Sequence, residues 1–288
     1  MLLCVDIGNT QVSLGLYEDS DSEETPRPPL LRQWRMRTDP RMTADELQVA
    51  ITGMVGSHAD EITGVAALST VPPLLRELRQ LADGMRERVH SVIVGPRVRT
   101  GVPILVDNPK EVGADRVVNT LAAHRLFGTP AIVVDFGTST NIDVVSPKGE
   151  LLGAAIAPGI EISADALAAR AAALTNVELV RPRAAIGKNT VECLQAGILF
   201  GFTGQVDGLV RRIKVELETE YKVDPATVTV IATGGLASLV VAESETITEH
   251  VDDLTLLGLR LVYLRNMRTV TVRSGMSNSS PSSGRPAR

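Results

Sequence analysis

Two short segments of the chain share an unusual order of residues: an acid, an apolar residue, a glycine and small polar side chains, each directly after an apolar run. The first contains Asp6 in "LLCVDIGNTQVSLGLY" (2–17), and the second contains Asp135 in "AIVVDFGTSTNIDVVS" (131–146). A glycine at such a turn lets backbone N–H groups approach the oxygens of an anion, and neighbouring hydroxyl and amide groups add donors. A carboxylate needs a cation or a water between itself and phosphate. The pattern therefore indicates a phosphate site with Mg²⁺ or a monovalent ion beside Asp6 and Asp135.

Each segment alone also fits an ordinary β-hairpin turn, in which Asp, Ser and Thr bond to the local backbone. The repeat of strand, turn and strand at half the chain length instead favours two lobes of similar topology with a ligand in the cleft between them. Neither a GxxxxGK[ST] loop nor a GxGxxG turn occurs, so a P-loop and a Rossmann site are not indicated. We expect an α/β protein with the two similar lobes of the acetate and sugar kinase, Hsp70 and actin (ribonuclease H-like) fold, an interdomain cleft, and adenosine beside "TGG" (233–235).

A second candidate cluster lies between the two turns, in "VDNPKEVGADRVVNTLAAHRLFG" (106–128). Gly113 precedes a predicted helix at 114–127, which puts Asp115 and Arg116 in its first turn. An acid at a helix N-terminus is common because of the helix dipole, and Arg116 alone could be an ordinary surface charge. Phosphoryl transfer to an alcohol, however, needs a carboxylate near the attacking hydroxyl, and an anionic acceptor needs a guanidinium to hold it. The adjacent pair could supply both groups.

Apolar periodicity and capping signals predict the elements that position these residues. Thr43 and Glu46 form a capping-box pattern at the start of a helix, and Pro72 opens another helix. Helices are predicted at 43–56, from 72 onward, and at 114–127, 162–174, 190–221 and 254–266. Strands are predicted at 2–6, 12–17, 30–38, 64–70 and 227–235.

The N-terminal lobe would cover 1–128, with the first phosphate turn and the candidate base. The C-terminal lobe would cover 129–266, with the second phosphate turn, the adenosine turn and the long helix at 190–221. The segment 18–29 carries five acids and three prolines, so we expect an exposed loop there. The basic, Ser-rich tail at 267–288 is predicted to be disordered.

Composition limits the classes of partner. The chain has 288 residues and a net charge of −5, which argues against a phosphate backbone or an anionic membrane as the main partner. Aromatic residues make up only 3%, leaving few rings to stack on bases. Cys4 and Cys193 lie far apart in apolar contexts and are expected to be buried thiols. No signal-peptide pattern or apolar run of membrane-spanning length is found, so we expect a cytoplasmic protein.

Taken in order, the motifs of the chain resemble those of the type III pantothenate kinases, over residues 1 to about 266. They are "DIGNT" (6–10), "NPKEVGADR" (108–116), "DFGTST" (135–140), "AIAPG" (155–159), "GKNT" (187–190) and "TGG" (233–235). The resemblance implies an enzyme that uses ATP to phosphorylate pantothenate to 4′-phosphopantothenate, the first step of coenzyme A biosynthesis.

The resemblance also implies a role for each matching residue. Asp115 would be the general base on the pantothenate hydroxyl, and the other residues of the substrate pocket would be Gly113, Ala114, Arg116 and Thr190. Arg116 would bind the pantothenate carboxylate, and Thr190 would reach the neighbouring site across a homodimer interface. The residues expected to bind ATP are Asp6, Ile7, Gly8, Asn9, Thr10, Gln11, Val12, Ser13 and Thr138. Asp135 would hold a monovalent cation, K⁺ or NH₄⁺, beside the Mg²⁺ that accompanies ATP.

One position departs from the family pattern. Many relatives have a tyrosine two residues before the "NP" pair, where this chain has Val106. Loss of that hydroxyl could weaken pantothenate binding by about 0.5 to 1.5 kcal/mol. Val106 and the basic tail favour the alternative of a non-catalytic nucleotide-binding regulator of the same fold, of the accessory transcription factor type, whereas Asp6, Asp115, Arg116 and Asp135 argue against it. Hydrolysis of polyphosphate is a third hypothesis, but no basic run for an extended anion channel is found between the lobes.

Overall fold

The structure, a computed structural model, describes residues 1–18, 27–170 and 177–276, with side chains up to 267. Its two five-stranded sheets repeat one topology. The first sheet has the order β3-β2-β1-β4-β5, built from β1 (Leu2–Ile7), β2 (Gln11–Tyr17), β3 (Leu30–Arg37), β4 (Gly64–Ser69) and β5 (His90–Ile93). The second sheet has the order β8-β7-β6-β9-β10, built from β6 (Ala131–Phe136), β7 (Ser139–Val145), β8 (Leu151–Pro158), β9 (Thr229–Thr233) and β10 (Glu249–His250).

Seven α-helices of the described residues cover these sheets. They are α1 (Ala44–Val55), α2 (Pro72–Gly84), α3 (Ala114–Phe127), α4 (Ile160–Arg170), α5 (Thr190–Tyr221), α6 (Ala237–Val241) and α7 (Leu254–Met276). In each half, three antiparallel strands are followed by parallel strands reached through helices. This duplicated α/β arrangement confirms the predicted two-lobed ribonuclease H-like fold. Among the described residues, no helix is both long and apolar enough to cross a membrane.

The first strand of each half has the same pattern of burial: four buried residues, then a half-buried acid, then one buried residue. The acid of β1 is Asp6 and that of β6 is Asp135. Such nearly continuous apolar runs are typical of central strands that are covered on both faces. Both acids therefore stand near the end of a central strand, where the polypeptide leaves the core and turns.

Three clusters of buried side chains form the core. One lies between the first sheet and the helices α1 and α2, and another lies between the second sheet and α5. The third is central and brings α3 and α7 together with residues of both sheets. The two outer clusters stabilise each sheet separately, while the central cluster joins the two halves.

Helix α3 belongs to the first half of the chain but contacts the second sheet, and helix α7 belongs to the second half but contacts the first sheet. Helix α3 packs on β6 and β7 as well as β4, and α7 packs on β1, β2, β4 and β5. The two helices also contact each other closely, because a Cβ at Gly258 of α7 would overlap the carbonyl oxygen of Val118 in α3. A domain boundary between residues 128 and 129 therefore separates the two sheets. It does not separate the packing of α3 and α7, because each of these helices contacts the sheet of the other half.

Most predicted elements agree with the structure. The capping box of α1 is formed, with Thr43 N donating to Glu46 Oε2 at 2.9 Å and Glu46 N donating to Thr43 Oγ1 at 3.3 Å. Helix α5 has its predicted limits. Helix α4 begins at Ile160, and the end predicted for it at 174 lies outside the described residues, as does most of the loop predicted at 18–29.

Two expectations were wrong. Helix α7 continues to Met276 instead of ending at 266, because residues 267–274 contain neither Pro nor Gly to stop it, so the start of the predicted disordered tail is helical. The remainder of that tail, 277–288, lies outside the described residues. Cys4 is buried as expected, but Cys193 is exposed on α5.

Candidate active site

The two glycine turns meet at a cleft between the halves of the molecule. The first turn has three residues between β1 and β2, and Gly8 N donates to Gln11 O at 3.0 Å. The second has two residues between β6 and β7, and Gly137 N donates to Ser139 O at 3.1 Å. The hydroxyl oxygens of Thr10 and Thr138 are 2.8 Å apart, so the two turns touch. Both turns line a cleft of about 300 Å³.

Asp6 and Asp135 lie in this cleft as half-buried carboxyl groups. Burial, followed by the repulsion of Asp115 and Asp135, raises the pKa of Asp6 to about 8. Burial, with Asp115 and Asp143 nearby, raises the pKa of Asp135 to about 7, although a hydrogen bond from Asn119 Nδ2 at 3.4 Å opposes this. Thr255 Oγ1 in turn donates to Asn119 Oδ1 at 2.9 Å and holds the amide in place. Burial and the neighbouring acids thus disfavour the charged forms of both carboxyl groups.

These carboxyl groups fit a bound cation. A cation between them would restore the charged forms that burial disfavours, and hard cations such as Mg²⁺ and K⁺ prefer oxygen ligands. In the part of the chain that the structure describes, no cluster of three or more His, Cys, Asp or Glu side chains is arranged to hold a metal alone. Phosphate oxygens and water would therefore have to complete the coordination.

The candidate base lies beside these two acids. Asp115 is in the first turn of α3 and lines the same cleft. A Cβ at Gly113 would overlap Asp115 Oδ1, so a larger residue there would displace this carboxylate. Burial raises the pKa of Asp115, while the backbone N–H of Arg116 and its guanidinium act in the opposite direction. Asp115 Oδ1 is buried and accepts no hydrogen bond from the described residues. The residue as a whole lines the cleft, although this oxygen is buried.

Arg116 is held by an acid that sequence reasoning missed. Its Nε donates to Asp143 Oδ1 at 2.6 Å, and the side chains are 14% and 0% exposed. Burial outweighs the guanidinium and raises the pKa of Asp143 to about 6, with Asp115 adding to the rise. The signal in the sequence was an acid within the apolar run "NIDVV", at a position where β2 has Gly15.

The expected adenosine turn also reaches the cleft. Thr233, Gly234 and Gly235 line it directly after β9. Gly234 has φ of +93°, and a Cβ there would lie 2.6 Å from Asp135 Oδ1 and 2.7 Å from Phe136 N. Both the dihedral angle and the close approach require glycine. The turn is thus packed directly against the second acid.

Several predicted residues do not line the cleft with their side chains. Ile7 and Val12 are 0% exposed and belong to the outer core of the first sheet, so only their backbone could contact a nucleotide. Gly113, Ala114 and Arg116 lie beside Asp115, behind the lining residues. Thr190 is exposed at the first position of α5, away from the cleft of its own chain.

Val106 is half-buried and does not contribute to the lining of the cleft. Other polar residues do line the cleft, although none of them belongs to a sequence motif. They come from β3, α4 and the segment before α7: Gln33, Arg35, Glu161, Asp252 and Asp253. Their positions depend on the register of β3 and on the packing of α7 against the first sheet, and both are long-range features of the fold.

The chain is similar to known proteins in sequence and in fold. A sequence model of the family described as type III pantothenate kinase matches residues 2–212. Relatives with that name are 67% identical in Saccharopolyspora erythraea (92% of this chain, 99% of the relative) and 60% identical in Rhodococcus jostii (92% and 96%). A third, from Frankia alni, is 57% identical (93% and 100%).

Among solved structures, a conserved Campylobacter jejuni protein assigned to the Baf family of transcriptional activators matches with a TM-score of 0.54 and 15% identity, over 92% of this chain and 99% of that chain. At that identity the likeness supports the fold alone.

Proposed function

The chain belongs to the type III pantothenate kinase family, an enzyme family of phosphotransferases, and we propose on this premise that it transfers the terminal phosphoryl group of ATP to pantothenate. The products would be ADP and 4′-phosphopantothenate. The observation that carries the proposal is the meeting of two glycine turns at a cleft that is also lined by the carboxyl groups of Asp6, Asp115 and Asp135.

The two turns bind the phosphates of ATP. Backbone N–H groups and side chains of the first turn, Asp6 to Ser13, lie opposite Thr138 of the second turn. Asp135 holds a monovalent cation, K⁺ or NH₄⁺, and Asp6 lies where Mg²⁺ would accompany the phosphates. When bound, these ions neutralise negative charge on the phosphates and on the carboxylates. Adenosine lies against Gly234 and Gly235.

Asp115 acts as the general base. It accepts the proton of the pantothenate hydroxyl as that hydroxyl attacks the phosphoryl group. Burial supports this role, because a raised pKa makes a carboxylate a better proton acceptor near neutral pH. A phosphoryl transfer site depends mainly on positioning, and α3 provides it through its rigid first turn.

Arg116, together with Gly113 and Ala114, binds the acceptor. The ion pair with Asp143 fixes the guanidinium in one orientation, which leaves its remaining N–H groups to meet the pantothenate carboxylate as a fork. A pre-oriented guanidinium loses little side-chain entropy when the substrate arrives.

Thr190 contributes to the substrate pocket of a second copy in a homodimer. Its exposed position, away from the cleft of its own chain, supports this assignment. Exposed apolar side chains of the C-terminal half also support an interface between copies: Ile156, Ile162, Ile186 and Val191. A cytoplasmic location is part of the same proposal.

The test is phosphorylation of pantothenate by the purified protein with Mg-ATP, with K⁺ present or replaced by Na⁺. We expect product that depends on K⁺, and a rate that falls about 10²- to 10⁴-fold in Asp115→Asn. A folded wild-type protein that binds ATP but forms no product would contradict the kinase proposal and support the non-catalytic regulator.

A further inference from the structure

The lining of the cleft is strongly acidic. Its described residues include six carboxyl side chains: Asp6, Asp115, Asp135, Glu161, Asp252 and Asp253. They include a single cationic side chain, that of Arg35. Arg116, the other cation near the carboxyl groups, is paired with Asp143 and does not line the cleft. A nucleoside triphosphate brings further negative charge, so Arg35 is the lining residue best suited to attract its phosphates.

The register of the first sheet puts Arg35 in line with the first phosphate turn. Asp6 of β1 lies opposite Ser13 of β2, and Ser13 lies opposite Arg35 of β3. Residues directly opposite each other on neighbouring strands share a face of the sheet. The row spans two strand spacings, which is about 10 Å. The length of the arginine side chain reduces the distance that remains between its guanidinium and the turn.

The other face of β3 is used for packing. Trp34 and Met36 pack against the outer core of the first sheet, so the alternation of side chains turns Gln33 and Arg35 toward the cleft. Arg35 is exposed and forms no hydrogen bond or ion pair with any residue in the described ranges. Its guanidinium has all its N–H donors available.

The internal repeat shows that the fold does not need a cation at this place. In the second sheet the equivalent row runs from Asp135 through Asn141 to Ile156 of β8, which is 65% exposed. The same topology therefore tolerates an apolar residue at the end of the row. The positive charge at position 35 is therefore specific to the first lobe, on the face that lines the cleft.

We propose that Arg35 is a binding residue for the phosphate chain of the nucleotide and contacts it from β3. The inference rests on the proposed function, and it adds a residue from outside both glycine turns. A guanidinium recognises phosphate oxygens through two parallel N–H donors, and it adds a full positive charge that backbone N–H groups do not have.

The charge of Arg35 also has an explanation that involves no ligand: β3 is an edge strand, and edge strands often carry charges that discourage pairing with other chains. That explanation applies equally to Arg32, which is on the same strand and stacks on the Trp34 ring at 5.6 Å. Arg32 does not line the cleft. The pair Arg35→Gln and Arg32→Gln therefore removes the same charge from the same strand, once at the cleft and once away from it.

The experiment measures dissociation constants for Mg-ATP and for adenosine, together with pantothenate turnover, in wild type, Arg35→Gln, Arg35→Lys and Arg32→Gln. We expect Arg35→Gln to weaken Mg-ATP binding roughly 10- to 100-fold, the range for a lost hydrogen bond to a charged group. Adenosine binding should change less than about twofold in the same variant, and Arg35→Lys should recover part of the loss. Arg32→Gln should bind Mg-ATP like wild type.

Equal Mg-ATP affinity of Arg35→Gln and wild type overturns the inference, and so does an equal loss for adenosine or for Arg32→Gln. Turnover of pantothenate by wild type separates the two questions. If wild type binds Mg-ATP but forms no product, the proposed function fails while the comparison of binding constants still decides the role of Arg35.

Discussion

At the scale of single residues, the cleft contains acids whose charge is disfavoured by the fold itself. Asp6 has a pKa of about 8 and Asp135 of about 7, against about 4 in an unfolded chain. Between about pH 4 and pH 8 the folded, ligand-free protein therefore binds more protons than the unfolded chain. Its stability falls as the pH rises through this window, and the penalty is complete above about pH 8. Bound cations remove that penalty, which couples stability to ligand binding.

We therefore expect Asp6→Asn to stabilise the ligand-free protein while impairing ATP binding. The gain in Tm should be on the order of 5 °C at pH 8 and should vanish near pH 4, where Asp6 is neutral in both states. Thermal unfolding without nucleotide or divalent cation, measured from pH 4 to pH 8, checks this. Glu220→Gln, an exposed acid on α5, is the control and should show no such trend. A Tm gain that is independent of pH would contradict the assignment to the Asp6 charge.

In the proposed mechanism, Asp143 acts on the substrate only through Arg116. We expect Asp143→Asn to raise KM for pantothenate roughly tenfold or more, because an amide holds the guanidinium less firmly than a carboxylate does. KM for ATP should stay within about twofold, since neither residue lines the nucleotide cleft. Steady-state kinetics with each substrate varied in turn provides the measurement. A parallel rise of both KM values would mean that the variant has disturbed the fold in general.

At the scale of secondary structure, local signals predicted local features well. The Thr43 and Glu46 capping box, the start of α3 after Gly113 and both limits of α5 follow from neighbouring residues alone. The Arg116 and Asp143 pair, the Arg35 row and the return of α7 to the first sheet join residues far apart in the chain. No local pattern specifies such contacts, which is why the sequence identified the glycine turns but missed the acid that holds Arg116.

Asp207 of α5 fixes the segment between α6 and β10. It is 5% exposed and accepts hydrogen bonds from Ser244 Oγ at 2.6 Å, Glu245 N at 3.0 Å, and Thr246 N and Oγ1 at 3.2 and 2.7 Å. Burial raises the pKa of Asp207, but these hydrogen bonds outweigh it, so that the net pKa is lowered. The resulting stability is present above the unfolded pKa and is lost as the pH falls through the folded pKa.

We expect Asp207→Ala to lower the free energy of unfolding by about 2 to 4 kcal/mol at pH 7, since it leaves several donors without an acceptor. Urea unfolding at pH 7 and again at pH 3 provides the test, and the loss should shrink at the lower pH. Glu218→Ala, exposed on the same helix, serves as the control. A loss below about 0.5 kcal/mol at pH 7 would show that the segment is held by other contacts.

At the scale of the whole molecule, each half supplies one side of the cleft, and the helices α3 and α7 join the halves through a common core. A ligand held by both halves stabilises the folded state by mass action, about 2.7 kcal/mol at a concentration of one hundred times Kd. We expect Mg-ATP to raise Tm, and EDTA to remove most of the rise by withdrawing the divalent cation. Thermal unfolding with K⁺ or Na⁺ as the only monovalent ion tests the Asp135 site, and equal shifts in both salts would count against it.

The association of two copies is tested most sharply by restoring activity from two inactive variants. Asp115→Asn removes the base, whereas Thr190→Glu places a negative charge against an acidic substrate and leaves the N-terminus of α5 with a favourable acid. If Thr190 serves the site of the partner subunit, a mixed dimer contains one site with both defects and one intact site. Random association then gives half mixed dimers, and about a quarter of wild-type turnover. If Thr190 serves its own chain, every site of the mixture has one defect and activity stays at the level of the separate variants. Turnover measured after the two variants are unfolded and refolded together decides between these arrangements, and size-exclusion chromatography of the mixture verifies that dimers have formed.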